Sequence, residues 1–274
     1  MSPASVRDEA PRFTAVVLAG DRTPDDPLAL SAGVRYKSLV PVGGRAMLLR
    51  VLDALAGSPQ VGRCVLCGPP REALEQDAEL RAGVATGAWD WLPPGPTPST
   101  SALAALQSLP ESEPVLLTTG DHALLRPEVV EYFCGHARRA GSELVVGLAR
   151  YKEVMAAFPG MHRTGLRFRD DVYSGCNLYA FLSPAARGVA DFWRRVEGER
   201  KRPWRMLRAL GWGTVLRYLT GRLTLGQALE RLSLQLGVRI GTVLLPYPEA
   251  AVDVDKVSDR EYAERILRGR VDPR

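Results

Sequence analysis

The hydrophobic pattern opens on Ala15-Val16-Val17-Leu18, an unbroken apolar run containing β-branched residues. Such a run predicts a strand buried on both faces. Ala19-Gly20 follows, small enough for the backbone to approach a ligand closely, and then a polar loop rich in Pro, Asp and Gly. Lys37 stands ahead of a second apolar segment, Ser38-Leu39-Val40-Pro41-Val42. Gly43-Gly44 marks a tight turn, and 46–55 repeats its apolar residues at helical spacing.

The alternation continues to the end of the chain. Segment 63–67 reads as a strand, 71–80 as a short helix, 89–92 as a short edge strand and 93–96 as a Pro-rich loop. Segment 99–108 reads as a helix opening on Ser and Thr, residues that favour the N-cap. The run 114–119 predicts a strand leading directly into Gly120-Asp121-His122. Pro127 opens a helix that Gly141 closes. Segment 143–149 is strand-like, and 163–179 alternates about Arg169-Asp170-Asp171 as a hairpin does. Thr224 and Gln227 form a capping box for a helix ending at Gly237, 238–245 predicts a further strand, and Ser258 and Glu261 form a second box for a terminal helix. Strands and helices in alternation predict an α/β fold, a doubly wound, mostly parallel sheet, with a helical insert near the C-terminus.

Composition changes this picture little. The 274 residues are 46% hydrophobic and 24% charged, as in ordinary globular proteins. Residues 1–12 have no apolar core of a secretory signal and read as a disordered leader; 13–269 then form one domain carrying the insert 192–237. No apolar run reaches the roughly 18 residues of a membrane span. Four cysteines point to a reducing, cytoplasmic compartment. Cys64 and Cys67 lie within a predicted strand and have no second pair to complete a zinc site, so they read as buried structural thiols.

Charge is more telling. The formal net charge is +5, yet nine Lys or Arg against two Glu fall between Arg194 and Arg222, leaving the rest slightly acidic. A nucleic-acid binder spreads basic charge over its working face, so this concentration argues against nucleic acid as a partner. Trp193, Trp204, Trp212 and Tyr218 interleave the basic residues. That mixture suits peripheral contact with an anionic membrane through 192–237, a lid over a substrate, or a dimer contact.

Two acidic constellations carry candidate chemistry. Asp121 follows a predicted central strand and so lies at the carboxyl edge of the sheet, where active sites collect. A carboxylate there suits Mg²⁺, which takes one or two carboxylates plus substrate phosphates; helix capping is the alternative role. In Ala251-Val252-Asp253-Val254-Asp255 a strand would place both aspartates on one face, where they repel unless a cation lies between them. At Gly20 and Lys37, exposed backbone N–H groups and a mobile positive charge suit phosphate, although neither G-x-x-x-x-G-K-[ST] nor G-x-G-x-x-G is present.

Leu18-Ala19-Gly20, a variable loop, and Lys37-Ser-Leu-Val-Pro-Val-Gly-Gly-Arg-Ala-Met-Leu48 together resemble the opening of nucleotidyltransferases related to the molybdenum-cofactor guanylyltransferase, the MobA-like NTP transferases. The usual opening has a second glycine where this chain has Asp21, and a loop arginine for which Arg22 or Arg35 is available. The resemblance covers roughly 15–182 and 238–267. It implies a nucleotide-diphospho-sugar transferase-like, Rossmann-like fold. It further implies nucleotide contacts from Leu18, Ala19, Gly20, Arg35, Lys37, Gly95 and Ser99, acceptor contacts from Gly175 and Asn177, and Mg²⁺ held by Asp121 with Asp253 or Asp255. Lys37 and Asp121 would be catalytic.

The implied reaction is transfer of NMP from an NTP, CTP favoured, to a phosphorylated small-molecule acceptor with release of pyrophosphate, for lipid head-group or cofactor synthesis. A molybdenum-cofactor guanylyl- or cytidylyltransferase is one alternative within the family. An inactive nucleotide-binding regulatory protein is another. A nucleotide-sugar glycosyltransferase is disfavoured, because Asp121-His122-Ala123 offers one acid where that class has a pair.

Overall fold

The computed structural model describes residues 11–21, 26–161, 163–198 and 211–269. The expected leader to residue 10, Arg22 and the basic run 200–208 lie outside the described residues.

The main sheet is built on β1 (Phe13–Leu18), whose six residues are all buried, as its unbroken apolar run requires. Two-residue strands β2 (Pro41–Val42) and β3 (Arg45–Ala46) form a separate hairpin. Gly43 and Gly44 turn it with φ of +59° and +79°, the left-handed geometry of a two-residue turn that side chains disfavour. Then come β4 (Val61–Cys67), β5 (Asp90–Leu92), β6 (Val115–Thr119), β7 (Leu144–Arg150), β8 (Leu166–Arg167), β9 (Val172–Phe181) and β10 (Ile240–Leu244). The order across the sheet is β10-β7-β9-β6-β1-β4-β5, with β8 paired to β9. Neighbours are parallel except around β9, which runs antiparallel to β6, β7 and β8. The expected doubly wound, mostly parallel sheet is present, and within the expected 89–92, Asp90–Leu92 forms its edge strand.

Helices cover both faces. Met47–Ala56 buries Met47, Leu48, Val51, Leu52 and Leu55, one stripe at helical spacing. It packs with the Pro127–Arg139 helix, which buries Phe133. On the other face, Pro98–Gln107 packs against the Val189–Gly198 helix. Full burial of a side chain such as Phe13, Phe133 or Phe158 contributes about 1.5–3 kcal/mol. All four cysteines are free thiols.

Three local expectations are corrected. The single helix at 71–80 is two, Arg71–Gln76 and Ala78–Thr86, because Asp77 is extended and its carboxylate accepts from the N–H groups of Glu79 and Leu80, both at 2.9 Å. The 251–255 region is not a strand. A 3₁₀ turn, Pro248–Ala251, leads into an extended run whose link to the sheet edge is Val254 N–H donating to Asp121 C=O at 2.9 Å. The terminal helix, Val257–Leu267, is capped two residues earlier than Ser258 and Glu261 suggest: Asp259 Oδ2 accepts from Lys256 N–H at 2.9 Å and Asp255 N–H at 3.2 Å.

The expected box at Thr224 and Gln227 opens the Leu225–Leu236 helix. That helix meets the β8–β9 hairpin through Leu225 N–H, which donates to Asp170 at 3.0 Å, and the preceding Trp212–Leu219 helix meets it through an edge contact between Tyr218 and Phe168. Among the described residues, no helix is long and apolar enough to cross a membrane.

Candidate active site

At the carboxyl edge the chain leaves β1 through Leu18, Ala19 and Gly20. Ala19 N–H donates to Cys67 C=O at 2.8 Å and Gly120 N–H to Leu18 C=O at 2.9 Å, so the exits of β1, β4 and β6 are tied side by side. Gly68 lets the next loop press against this exit: a Cβ there would lie 2.8 Å from the Ala19 backbone.

Asp21 comes next and turns inward. Its carboxylate accepts from Lys37 N–H at 3.0 Å and Ser38 Oγ–H at 3.2 Å. Burial raises its pKa, against the opposing pull of those hydrogen bonds. The two bonds anchor the 3₁₀ turn Lys37–Leu39 and so fix where the lysine side chain leaves the backbone.

Lys37 Nζ lies 3.2 Å from Asp121 Oδ2 and 2.5 Å from Asp255 Oδ1. Burial by itself would lower the lysine pKa, but the Asp121 charge and the Asp255 hydrogen bond and charge outweigh it, and the net shift is upward. Lys37 is therefore a firm cation. Burial is the largest influence on Asp121 and raises its pKa, while Lys37 opposes the rise. Asp121 Oδ1 is buried and has no hydrogen-bond partner among the described residues. Asp121 is no helix cap, since Arg126 holds the N-cap position of the Pro127–Arg139 helix.

Asp253 is engaged differently. Arg163 pairs with one of its oxygens and Asn177 Nδ2 donates to the other at 3.2 Å. Burial would raise its pKa, but these partners outweigh burial and hold it below the usual carboxylate range. Asn177 has a left-handed φ of +49°, which Asn tolerates better than most residues. The cause lies in the sheet: Val146 faces Tyr179 but Leu148 faces Gly175, so β9 carries two extra residues there. This bulge turns Asn177 out of the ladder toward Asp253.

The opposite wall is made by the loop after β5 and the start of Pro98–Gln107. Thr97 caps that helix, and Ser101 Oγ accepts from Gly95 N–H at 2.8 Å. Ser99 donates through Oγ and, at 3.2 Å, through its N–H to the carboxylate of Glu197, on the Val189–Gly198 helix.

Together these segments enclose a cleft of about 880 Å³. Leu18, Ala19, Gly20, Lys37, Gly95, Asp121, Asn177, Asp253 and Asp255 line it, nine of the residues singled out from the sequence. Ser99 is fully buried behind Glu197. Arg35 is exposed, with its guanidinium over the Tyr36 ring, and Gly175 is exposed opposite Leu148; neither is among the lining residues. Sequence reasoning missed Asp21, Ser38, Tyr179, Trp193, Val196 and Glu197, which line the cleft, and Arg163, which binds Asp253. Asp21 was visible as a departure from the usual second glycine. Glu197 was hidden in a basic segment, and nothing in the sequence links Arg163 to a partner 90 residues away.

The family model of the MobA-like NTP transferase domain matches residues 15–212. A solved structure described as a hypothetical transferase from Thermus thermophilus is 32% identical, with a TM-score of 0.75 over 91% of this chain and 99% of that one. A 2-C-methyl-D-erythritol 4-phosphate cytidylyltransferase, also from Thermus thermophilus, is 16% identical, with a TM-score of 0.54 over 94% and 99% of the two chains. A 4-diphosphocytidyl-2C-methyl-D-erythritol synthase from Anaerococcus prevotii is 14% identical, with a TM-score of 0.57 over 94% and 96%. At these identities the last two show a shared fold. Curated protein sequences give no significant match.

Proposed function

The chain belongs to the MobA-like NTP transferase family, and from that premise we propose that it transfers NMP from an NTP, with CTP the favoured donor, to a phosphorylated small-molecule acceptor and releases pyrophosphate. The observation that carries this reading is Lys37. Its ammonium group joins Asp121 and Asp255, residues 84 and 218 positions away, at the mouth of one strand-edge cleft. A firm cation in the same cleft as the exposed backbone of Gly20 suits the phosphates of a nucleotide.

The residues also fit Mg²⁺. Asp121 Oδ1 is a buried oxygen lacking a hydrogen-bond donor, while Asp255 is half exposed. Among the described residues no group of three His, Cys, Asp or Glu is arranged to hold a metal alone. Mg²⁺ takes one or two carboxylates and completes its shell with phosphates and water. Asp121 through Oδ1 and Asp255 through the oxygen not bonded to Lys37 would hold it, whereas both oxygens of Asp253 are engaged by Arg163 and Asn177. When bound, the ion would neutralise phosphate charge as it develops.

In this reading the chain's own groups position and stabilise more than they react. Lys37 offsets negative charge on the phosphates. Asp253, held by Arg163, orients Asn177 on the acceptor wall. The cleft aligns the acceptor oxygen for in-line attack at the α-phosphorus, with pyrophosphate leaving.

A pyrophosphate-release screen of four NTPs against phosphorylated alcohols and sugars tests the proposal. One pairing should give turnover that depends on Mg²⁺. Asp121→Asn should remove nearly all of it, with thermal unfolding unchanged. An unaltered rate in that variant at limiting Mg²⁺, or no release with any pairing, overturns the proposal.

A further inference from the structure

From Phe192 on, the Val189–Gly198 helix belongs to the basic, aromatic insert, yet it reaches the cleft. Trp193, Val196 and Glu197 stand at i, i+3 and i+4, one helical face, and all three line the cavity. They face the loop Gly95-Pro96-Thr97-Pro98, which itself lies close to the exit of β1, where a Cβ on Gly20 would sit 3.2 Å from Pro94. This slot holds a large aromatic ring, a branched aliphatic side chain and a carboxylate. Its loop wall follows β5, whereas Lys37, Asp121 and Asp255 meet at the β6 exit.

A flat ring with N–H donors on its edge fits such a slot. An indole offers a stacking surface that tolerates any base, and a carboxylate accepts hydrogen bonds but donates none. Glu197 is fixed in place, because Ser99 donates to it from the first turn of Pro98–Gln107, where the helix terminus also favours negative charge. Ribose hydroxyls would not need the apolar surface of Trp193 and Val196.

We infer that this helix face is the nucleobase wall of the site, with Trp193 stacking on the base and Glu197 accepting from an exocyclic amino group. The inference rests on the nucleotidyl-transfer reading and narrows its donor to a nucleotide with an amino-bearing base. CTP qualifies and UTP does not: uracil carries a carbonyl oxygen where cytosine has its amino group, and so offers Glu197 no donor there.

Equilibrium binding of CTP and UTP, each with Mg²⁺ and without acceptor, tests this directly. The wild-type protein should bind CTP at least about tenfold more tightly than UTP, as expected where a charged acceptor must lose its donor. Glu197→Gln keeps a carbonyl oxygen for Ser99 but can also donate, so CTP should weaken and UTP strengthen until the two differ by less than about threefold. Trp193→Ala should weaken both nucleotides alike and abolish any quenching of tryptophan fluorescence by CTP. Should the NTP screen select a purine, ITP replaces UTP as the probe, since hypoxanthine lacks the amino group. Selection of UTP, equal binding of CTP and UTP by the wild type, or an unchanged ratio in Glu197→Gln overturns the inference while leaving nucleotidyl transfer standing. Failure of every nucleotide to bind overturns both.

Discussion

Lys37 shows how one residue can tie distant parts of a chain together. Asp21 holds its backbone, and Asp121 and Asp255 hold its side chain. Removing the ammonium should leave a cleft whose remaining carboxylates repel the phosphates of a nucleotide. Lys37→Ala is therefore expected to lower kcat/KM by about 10²–10³, with a smaller loss in nucleotide binding, since the charge on the phosphates grows in the transition state. Because its pKa is raised above the ordinary 10.5, the wild-type rate should show no basic limb from Lys37 below that pH. Wild-type kinetics in the variant would reduce Lys37 to a surface cation.

Among the elements, Gly83 inverts a general rule. It lies within the Ala78–Thr86 helix, where alanine ordinarily stabilises by about 1 kcal/mol relative to glycine. Here a Cβ would fall 2.0 Å from Cζ2 of the Trp89 ring. The ring must move, and overpacking of this kind costs about 1–3 kcal/mol. Gly83→Ala is expected to lower Tm, and the loss should shrink in a Trp89→Leu background, which removes the clashing atoms. A Tm equal to or above that of the wild type would show that the indole shifts freely. Asp77 sets the other limit of this helix. Its apolar spacing reads straight through 71–80, but a side chain that accepts two backbone N–H groups starts a new helix there.

At the scale of the whole molecule, His122 couples stability to pH. It is 1% exposed, and neither ring nitrogen has a hydrogen-bond partner among the described residues. Burial pushes its pKa from 6.5 down to about 4, so the native protein holds it neutral at pH 7. The unfolded chain binds a proton near pH 6.5 and the native state does not. Unfolding is therefore favoured as pH falls from 6.5 toward 4, by an amount on the order of 3 kcal/mol at the lower end. His122→Gln cannot titrate and should flatten this fall, as read from denaturant unfolding at pH 7 and 4.5. An equal loss of stability in wild type and variant would assign the acid sensitivity to other groups.

The strands from Ala15 and from Val115, the helices after Gly44 and Pro127 and the cap at Thr224 were legible in the sequence. Each is specified by residues next to one another: an apolar run, a period of 3.6, a proline that fixes φ, a side chain that caps its own helix. The same local signals placed Asp121 at the exit of its strand and Lys37 just ahead of a second apolar segment. What local signals cannot encode is the meeting of elements far apart in sequence. Tertiary structure alone paired Arg163 with Asp253, leaving Asp255 to Lys37, because that choice depends on which loops close over the β6 edge. It turned Asn177 inward through a bulge that the alternation of β9 does not announce. It also laid the Val189–Gly198 helix against Pro98–Gln107, so that part of a segment whose composition suited a membrane became a wall of the cleft. An amphipathic helix states that it has an apolar face; only packing decides what that face meets.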